Sequence, residues 1–158
     1  MTMVIQRLGP IHVDFVLDLQ QKTPEAPHWK RQVYEELAQS EAPGLGFVAV
    51  EGNSLLGFAV CRLVLDTCEL ESIAVATEAR RRGIGAILLA AATDFAAERG
   101  ATRMELEVRA GNSTAIDFYT RMGFAQDGLR RGYYRNPDED AVLMSRAIVP
   151  SSHVEKNL

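Results

Sequence analysis

The chain has 158 residues, 47% of them hydrophobic and 24% charged, which is enough apolar material for one packed core and excludes wholesale disorder. Lysine and arginine number 17 against 21 acids, and the net charge of -4 argues against bulk nucleic acid as the main partner. The longest apolar run, Ala86 to Ala92, falls far short of the roughly 20 residues a membrane span needs. The first residues lack the charged start, apolar stretch and cleavage site of a signal peptide, so a cytoplasmic protein is expected.

In chain order, Met3 to Leu8 reads as a strand. Gly9-Pro10 opens a helix with Val13, Val16, Leu17 and Leu19 on its apolar face. Gln21 to His28 is a loop, and a second helix is predicted over Trp29 to Gln39. Leu45 to Glu51, Leu55 to Leu65 and Cys68 to Val75 are strands joined by two-residue turns, an antiparallel meander in which Gly57 marks a bulge. A strong helix follows over Gly83 to Arg99, closed by Gly100. Thr102 to Arg109 is a strand, Ser113 to Met122 a helix capped by Asn112 or Ser113, Gly123 to Gln126 a short strand start, and Ala141 to Ala147 the last strand. This order predicts an α+β domain over residues 1–149, a mixed, mostly antiparallel twisted sheet flanked by helices, with 150–158 as a flexible tail.

Cys61 and Cys68 fit no zinc or redox spacing and the three histidines are scattered, so no metal site is expected, and both cysteines are read as reduced core residues. Arg80-Arg81-Arg82-Gly83-Ile84-Gly85-Ala86 joins a strand to a helix and has the makings of an anion site, because glycines admit a close ligand and the first helical N–H groups point at it. It is neither a P-loop nor a dinucleotide fingerprint. The alternative is an exposed loop that merely begins a helix. Residues 1–79 hold 5 basic and 11 acidic groups and residues 80–158 hold 12 and 10, so the half with this turn is the less acidic one. In Met104-Glu105-Leu106-Glu107-Val108, alternation puts the two glutamates on one face. Glu107, near the strand's C-terminal end, is a candidate general base or else a solvated carboxylate. Tyr119 shares a helix face with Ala115, Ile116 and Met122, which also suits a core tyrosine.

The combination of Arg80-x-x-Gly83-x-Gly85 after Ser72-Ile73-Ala74-Val75 with Leu106-Glu107-Val108-Arg109, Asn112, Ala115, Tyr119 and Gly123-Phe124 resembles the GNAT superfamily of N-acetyltransferases over residues 3–147. The second half, with Arg130-Arg131-Gly132-Tyr133-Tyr134 and Glu139-Asp140-Ala141, is similar to the bacterial ribosomal-protein alanine N-acetyltransferases. The resemblance implies the GNAT fold and acetyl-CoA as the acetyl donor. It implies that the backbone of Ile73, Ala74 and Val75 pairs with the pantetheine arm, that Arg81, Arg82, Gly83, Ile84, Gly85 and Ala86 hold the pyrophosphate, and that Asn112 contacts the cofactor. Glu107 would be the base and Tyr119 the acid, with Trp29, Tyr133 and Tyr134 lining the acceptor groove for a protein N-terminus.

Other readings stay open. Members of the family often carry adjacent Pro-Trp where this chain has Pro27-His28-Trp29, which leaves room for a small-molecule amine as acceptor. A non-catalytic acyl-CoA-binding module would have no chemical use for both Glu107 and Tyr119. The tyrosines at 133 and 134 with their arginines could stack on RNA, but Asp138-Glu139-Asp140 breaks the basic surface. Glu71 is an acid without an assigned role.

Overall fold

A computed structural model describes residues 2–39 and 44–149, and the tail expected at 150–158 lies outside the described residues. After β1 (Met3–Arg7), a single 3₁₀ turn at Pro10–His12 runs straight into α1 (Val13–Gln21). α1 turns Val13, Val16, Leu19 and Gln20 inward. The second helix, α2, is shorter than expected, covering Arg31–Leu37, so that Trp29 precedes it and Lys30 is extended (φ -71°, ψ 154°). The cause is the buried amide of Gln20, which takes both backbone groups of Trp29. Its Nε2 donates to the Trp29 carbonyl (2.7 Å) and its Oε1 accepts from the Trp29 N–H (3.0 Å). The Tyr34 hydroxyl donates to the same Oε1, and burial pushes that phenol up to about 12.

The meander is β2 (Gly44–Glu51), β3 (Ser54–Val64) and β4 (Thr67–Val75). Its first irregularity lies beside Gly57, where Ala49 faces Gly57 and Val50 faces Leu55, leaving Leu56 as the extra residue. α3 (Ile84–Glu98) leads to β5 (Arg103–Arg109), and α4 (Ser113–Arg121) to the hairpin of β6 (Ala125–Tyr134) and β7 (Glu139–Ala147). All seven strands join one sheet in the order β1-β2-β3-β4-β5-β7-β6, antiparallel except for the β4–β5 pair. Only the start of β6 was expected. It is an edge strand exposed along most of its length, so no apolar alternation announces it.

Helices cover both faces. Tyr34 of α2 packs edge-on against Phe58 (centroids 6.0 Å apart), while Thr93 of α3 reaches Met104 from the opposite side. On β5 the predicted alternation holds: Met104, Leu106 and Val108 are buried, and Glu105 and Glu107 point to the α2 side, partly exposed. The two cysteines are free and buried on adjacent strands. Among the described residues no helix is long and apolar enough to cross a membrane.

One interruption organises the functional end of the sheet. β4 and β5 pair only from Thr67↔Arg103 to Leu70↔Leu106. At that level the register of β4 on β3 slips, with Cys61 facing Leu70 and Val60 facing Ser72, so Glu71 is an extra, bulged residue. Beyond it β4 stays with β3, and β5 stays with β7 from Glu107↔Leu143 to Arg109↔Ala141. The two strands therefore fork, and Glu71 and Glu107 are the first residues on its two lips.

Replacing Gln20 with Leu keeps the volume and strands the Trp29 N–H and the Tyr34 hydroxyl. The expected cost is about 2–4 kcal/mol in urea unfolding, with a red-shifted native emission from Trp29, the only tryptophan. An unchanged midpoint and spectrum would contradict this role for Gln20.

Candidate active site

The fork exposes the β5-facing edge of β4 over residues 71–75, a row of backbone groups that an extended ligand can pair with as an added strand. Within this stretch Ser72 Oγ is buried and has no partner among the described residues. Beyond β4 a single 3₁₀ turn at Thr77–Ala79 leads into the arginine-glycine turn. Gly83 caps α3 with φ +74°, a conformation that favours glycine, and no side chain caps the helix. The N–H groups of Ile84, Gly85 and Ala86 are thus left for a ligand, since the first N–H groups of a helix have no partner within it. A Cβ on Gly85 would stand 3.3 Å from the Phe118 ring of α4, so glycine also lets α3 and α4 close up beside the fork.

The arginines of the turn divide their work. Arg80 bonds to the Val75 carbonyl (3.3 Å) and to Glu25 (3.1 Å), and Arg82 pairs with Glu51 (2.8 Å). Arg81, itself at φ +69°, has no carboxylate partner among the described residues. Uncapped helix, close backbone, open cation and free strand edge together suit a ligand with an extended amide-bearing arm and a pyrophosphate. Among the described residues no cluster of three or more His, Cys, Asp or Glu could hold a metal.

Across the fork, Glu107 is held by groups from β6. The Glu107 carboxylate raises the pKa of the neighbouring Tyr133 hydroxyl, and Arg130 lies 3.5 Å from that carboxylate. Tyr134 is within electrostatic reach of Glu107 and of Tyr119, and burial is the main cause that raises its pKa. Tyr119 is 8% exposed, packed edge-on against Phe118 and Phe124, and burial moves its phenol well above the ordinary range. Its hydroxyl makes no hydrogen bond among the described residues. Glu107, Tyr119, Tyr133 and Tyr134 thus gather at one end of β5. Asn112 caps α4, its Oδ1 accepting from the Ala115 N–H (3.2 Å). Trp29 stands apart from this group, lining a cleft of about 240 Å³ with Val33 and Glu71. A wider hollow of about 650 Å³, lined by Thr93, Arg146 and Val149, lies at the other end of β5 and holds none of the predicted residues.

The Acetyltransferase (GNAT) family matches residues 13–124, a span that includes the fork, the turn, Glu107 and Tyr119. The chain belongs to the GNAT family of acetyltransferases. It is 38% identical over 106 residues to the ribosomal protein bS18-alanine N-acetyltransferase of Escherichia coli, covering 66% of this chain and 72% of that one. The crystal structure of the Escherichia coli ribosomal-protein-S18-alanine N-acetyltransferase matches with a TM-score of 0.81 and 30% identity, over 96% of this chain and 97% of that one. Nourseothricin acetyltransferase matches over less, 68% of this chain and 66% of its own, at 38% identity and a TM-score of 0.65. The protein is an acetyl-CoA-dependent N-acetyltransferase.

Arg109 and Glu139 also shape this end of the sheet. Arg109 donates to the carbonyls of Pro137 (3.1 Å) and Arg135 (3.1 Å), to Glu139 (3.3 Å), and lies over the Tyr134 ring, 4.4 Å from its centroid. Glu139 in turn accepts from the Gly111 N–H (2.6 Å). This clamp fixes the β6–β7 hairpin, and with it the two tyrosines, to the end of β5. Its signal was present in the sequence as Arg109 and Glu139 flanking two strands, but only the strand order β5-β7-β6 brings them together.

A Cβ on Gly111 would collide with Glu139 Oε2. Gly111→Ala is expected to lose the charge-assisted bond, costing about 1–3 kcal/mol of stability, and to lower kcat/KM roughly tenfold by loosening the hairpin. Thermal unfolding and steady-state kinetics check this, and wild-type kinetics in this variant would rule the clamp out as a positioning device.

Proposed function

We propose that this acetyltransferase acetylates the α-amine of a protein N-terminus in the cytoplasm, the acceptor class being the N-terminal alanine of a ribosomal protein. The gathering of Glu107 and three tyrosines at the fork carries this reading, together with the likeness to the Escherichia coli enzyme over 96% of the chain. In this reading the open edge at Ile73, Ala74 and Val75 pairs with the pantetheine arm, the Val75 carbonyl being shared with Arg80. Arg81, Arg82, Gly83, Ile84, Gly85 and Ala86 take the pyrophosphate, although Arg82 must share itself with Glu51. Asn112 offers its remaining amide N–H groups to the same ligand. Acetyl-CoA supplies an activated acetyl thioester.

The chemistry asked of the side chains is modest. With a pKa near 8, roughly a tenth of an α-amine is neutral at pH 7, against about 0.04% of a lysine. Glu107, acting directly or through one water, takes the proton as the amine nitrogen bonds to the acetyl carbon. As the carbon–sulfur bond breaks, Tyr119 gives its proton to the thiolate. Burial suits it to this task by keeping the phenol protonated through the working range. Backbone N–H groups near Val75 polarise the carbonyl.

A second reading, acetylation of a small amine, is favoured by the likeness to nourseothricin acetyltransferase. It is the weaker reading because that likeness covers less of the chain than the likeness to the Escherichia coli enzyme.

Thiol release from acetyl-CoA with two peptides separates these readings. A free N-terminal alanine should be turned over, and a peptide with a blocked N-terminus and a free lysine should not. Release with neither, alongside turnover of small amines, would overturn the proposal. For the acid, Tyr119→Phe is expected to lower kcat about 100-fold with little change in KM. Because the tyrosine's pKa is raised, its acid form persists below pH 10. Wild-type kcat/KM should therefore rise to about pH 8 with the amine and stay level to about pH 9.5. A fall with its midpoint below pH 9 would exclude Tyr119.

A further inference from the structure

The bulge that opens the fork leaves Glu71 on the lip opposite Glu107, and the Glu71 side chain does not face the tyrosine group. It lines the cleft of about 240 Å³ with Trp29, Val33, Val60, Arg62 and Glu36. That volume holds one long side chain. Its walls are of two kinds, an apolar side formed by Trp29, Val33 and Val60, and a charged side where strand and helix meet.

The charge is unbalanced. Glu71 and Glu36 line the cleft, and Glu69 lies across the strand pair from Arg62, the one guanidinium among the described residues that line it. Arg62 does not neutralise Glu71 closely, its Nε standing 3.8 Å from Oε1. Burial raises the Glu71 pKa, an effect that Arg62 only partly opposes and that Glu69 adds to. An exposed carboxylate at the rim of a cleft, with only a loose partner, gains from a second cation. Trp29, pinned by Gln20, offers an aromatic wall of the sort that cations and their alkyl stems pack against.

We infer that this cleft is a specificity subsite for a cationic side chain, arginine or lysine, on the acceptor residue next to the acetylated one. The stem lies along Trp29 and Val33 and the charged head meets Glu71 and Glu36. This rests on the α-amine reading above. With the amine at Glu107, the following residue has the opposite lip of the fork within reach, because Glu71 and Glu107 each directly follow the last paired couple, Leu70↔Leu106. Glu71 selects the acceptor here and does not take part in proton transfer.

The test compares peptides that begin Ala-Arg, Ala-Leu and Ala-Glu and are otherwise identical, with wild type, Glu71→Gln and Glu71→Arg. Wild type should prefer Ala-Arg over Ala-Leu at least tenfold in kcat/KM, mostly through KM, with Ala-Glu poorest. In Glu71→Gln the Arg-to-Leu ratio should collapse toward one, and in Glu71→Arg the order of Ala-Arg and Ala-Glu should reverse. Turnover of all three peptides with equal kcat/KM, or an Arg-to-Leu ratio unmoved by Glu71→Gln, would overturn the subsite and leave the α-amine reading standing. No turnover of any peptide would overturn that reading and the subsite with it.

Discussion

One extra residue in a strand sets the plan of this molecule. Two parallel strands in mid-sheet normally stay paired along their length, because an unpaired buried edge leaves backbone donors and acceptors without partners. Here the bulge at Glu71 ends the pairing of β4 with β5 after Leu70↔Leu106. Each strand keeps its other neighbour, so the sheet is not broken, but it gains an internal edge five residues long that faces a gap. Such an edge is tolerable when a ligand completes it. The arginine-glycine turn follows β4 after one 3₁₀ turn at Thr77–Ala79, so the same strand that offers the edge leads the chain to the helix N-terminus that suits the ligand's charged end.

The other walls of the gap are held by polar staples whose partners are distant in sequence. Gln20 fixes Trp29 on one side, and Arg109 with Glu139 fixes the hairpin that carries Tyr133 and Tyr134 on the other. In both cases a side chain satisfies backbone groups of an irregular segment, which gives that segment one geometry without a regular ladder. The ion pairs around the site are mostly half-exposed and individually weak. What they supply is orientation, as where Arg130 meets the Glu107 carboxylate.

Much of the fold could be read from the sequence because local pattern and tertiary context agree. The alternation of Met104, Leu106 and Val108 against two glutamates predicted both the strand and the side on which Glu107 lies. Gly100, at φ +88°, ends α3 where expected. The misses have physical causes. Trp29 continued an apparently helical pattern, and it is excluded from α2 because a glutamine nine residues earlier binds its backbone, which no local propensity reports. Most of β6 was invisible because an edge strand rich in arginine and glycine has no buried face to pattern. The fork itself is a matter of register, and register is written in pairings between strands. Glu71 stood out as an acid without an assigned role only because nothing local accounted for it.

The proposed donor surface joins the fork's open edge on β4 to the first turn of α3. Amide hydrogen exchange, followed residue by residue as CoA is added, tests it most directly. Exchange should slow within Ile73–Val75 and at Ile84, Gly85 and Ala86, with the already paired Thr67–Leu70 stretch unchanged. Saturable CoA binding that protects the helix turn and leaves β4 untouched would contradict it.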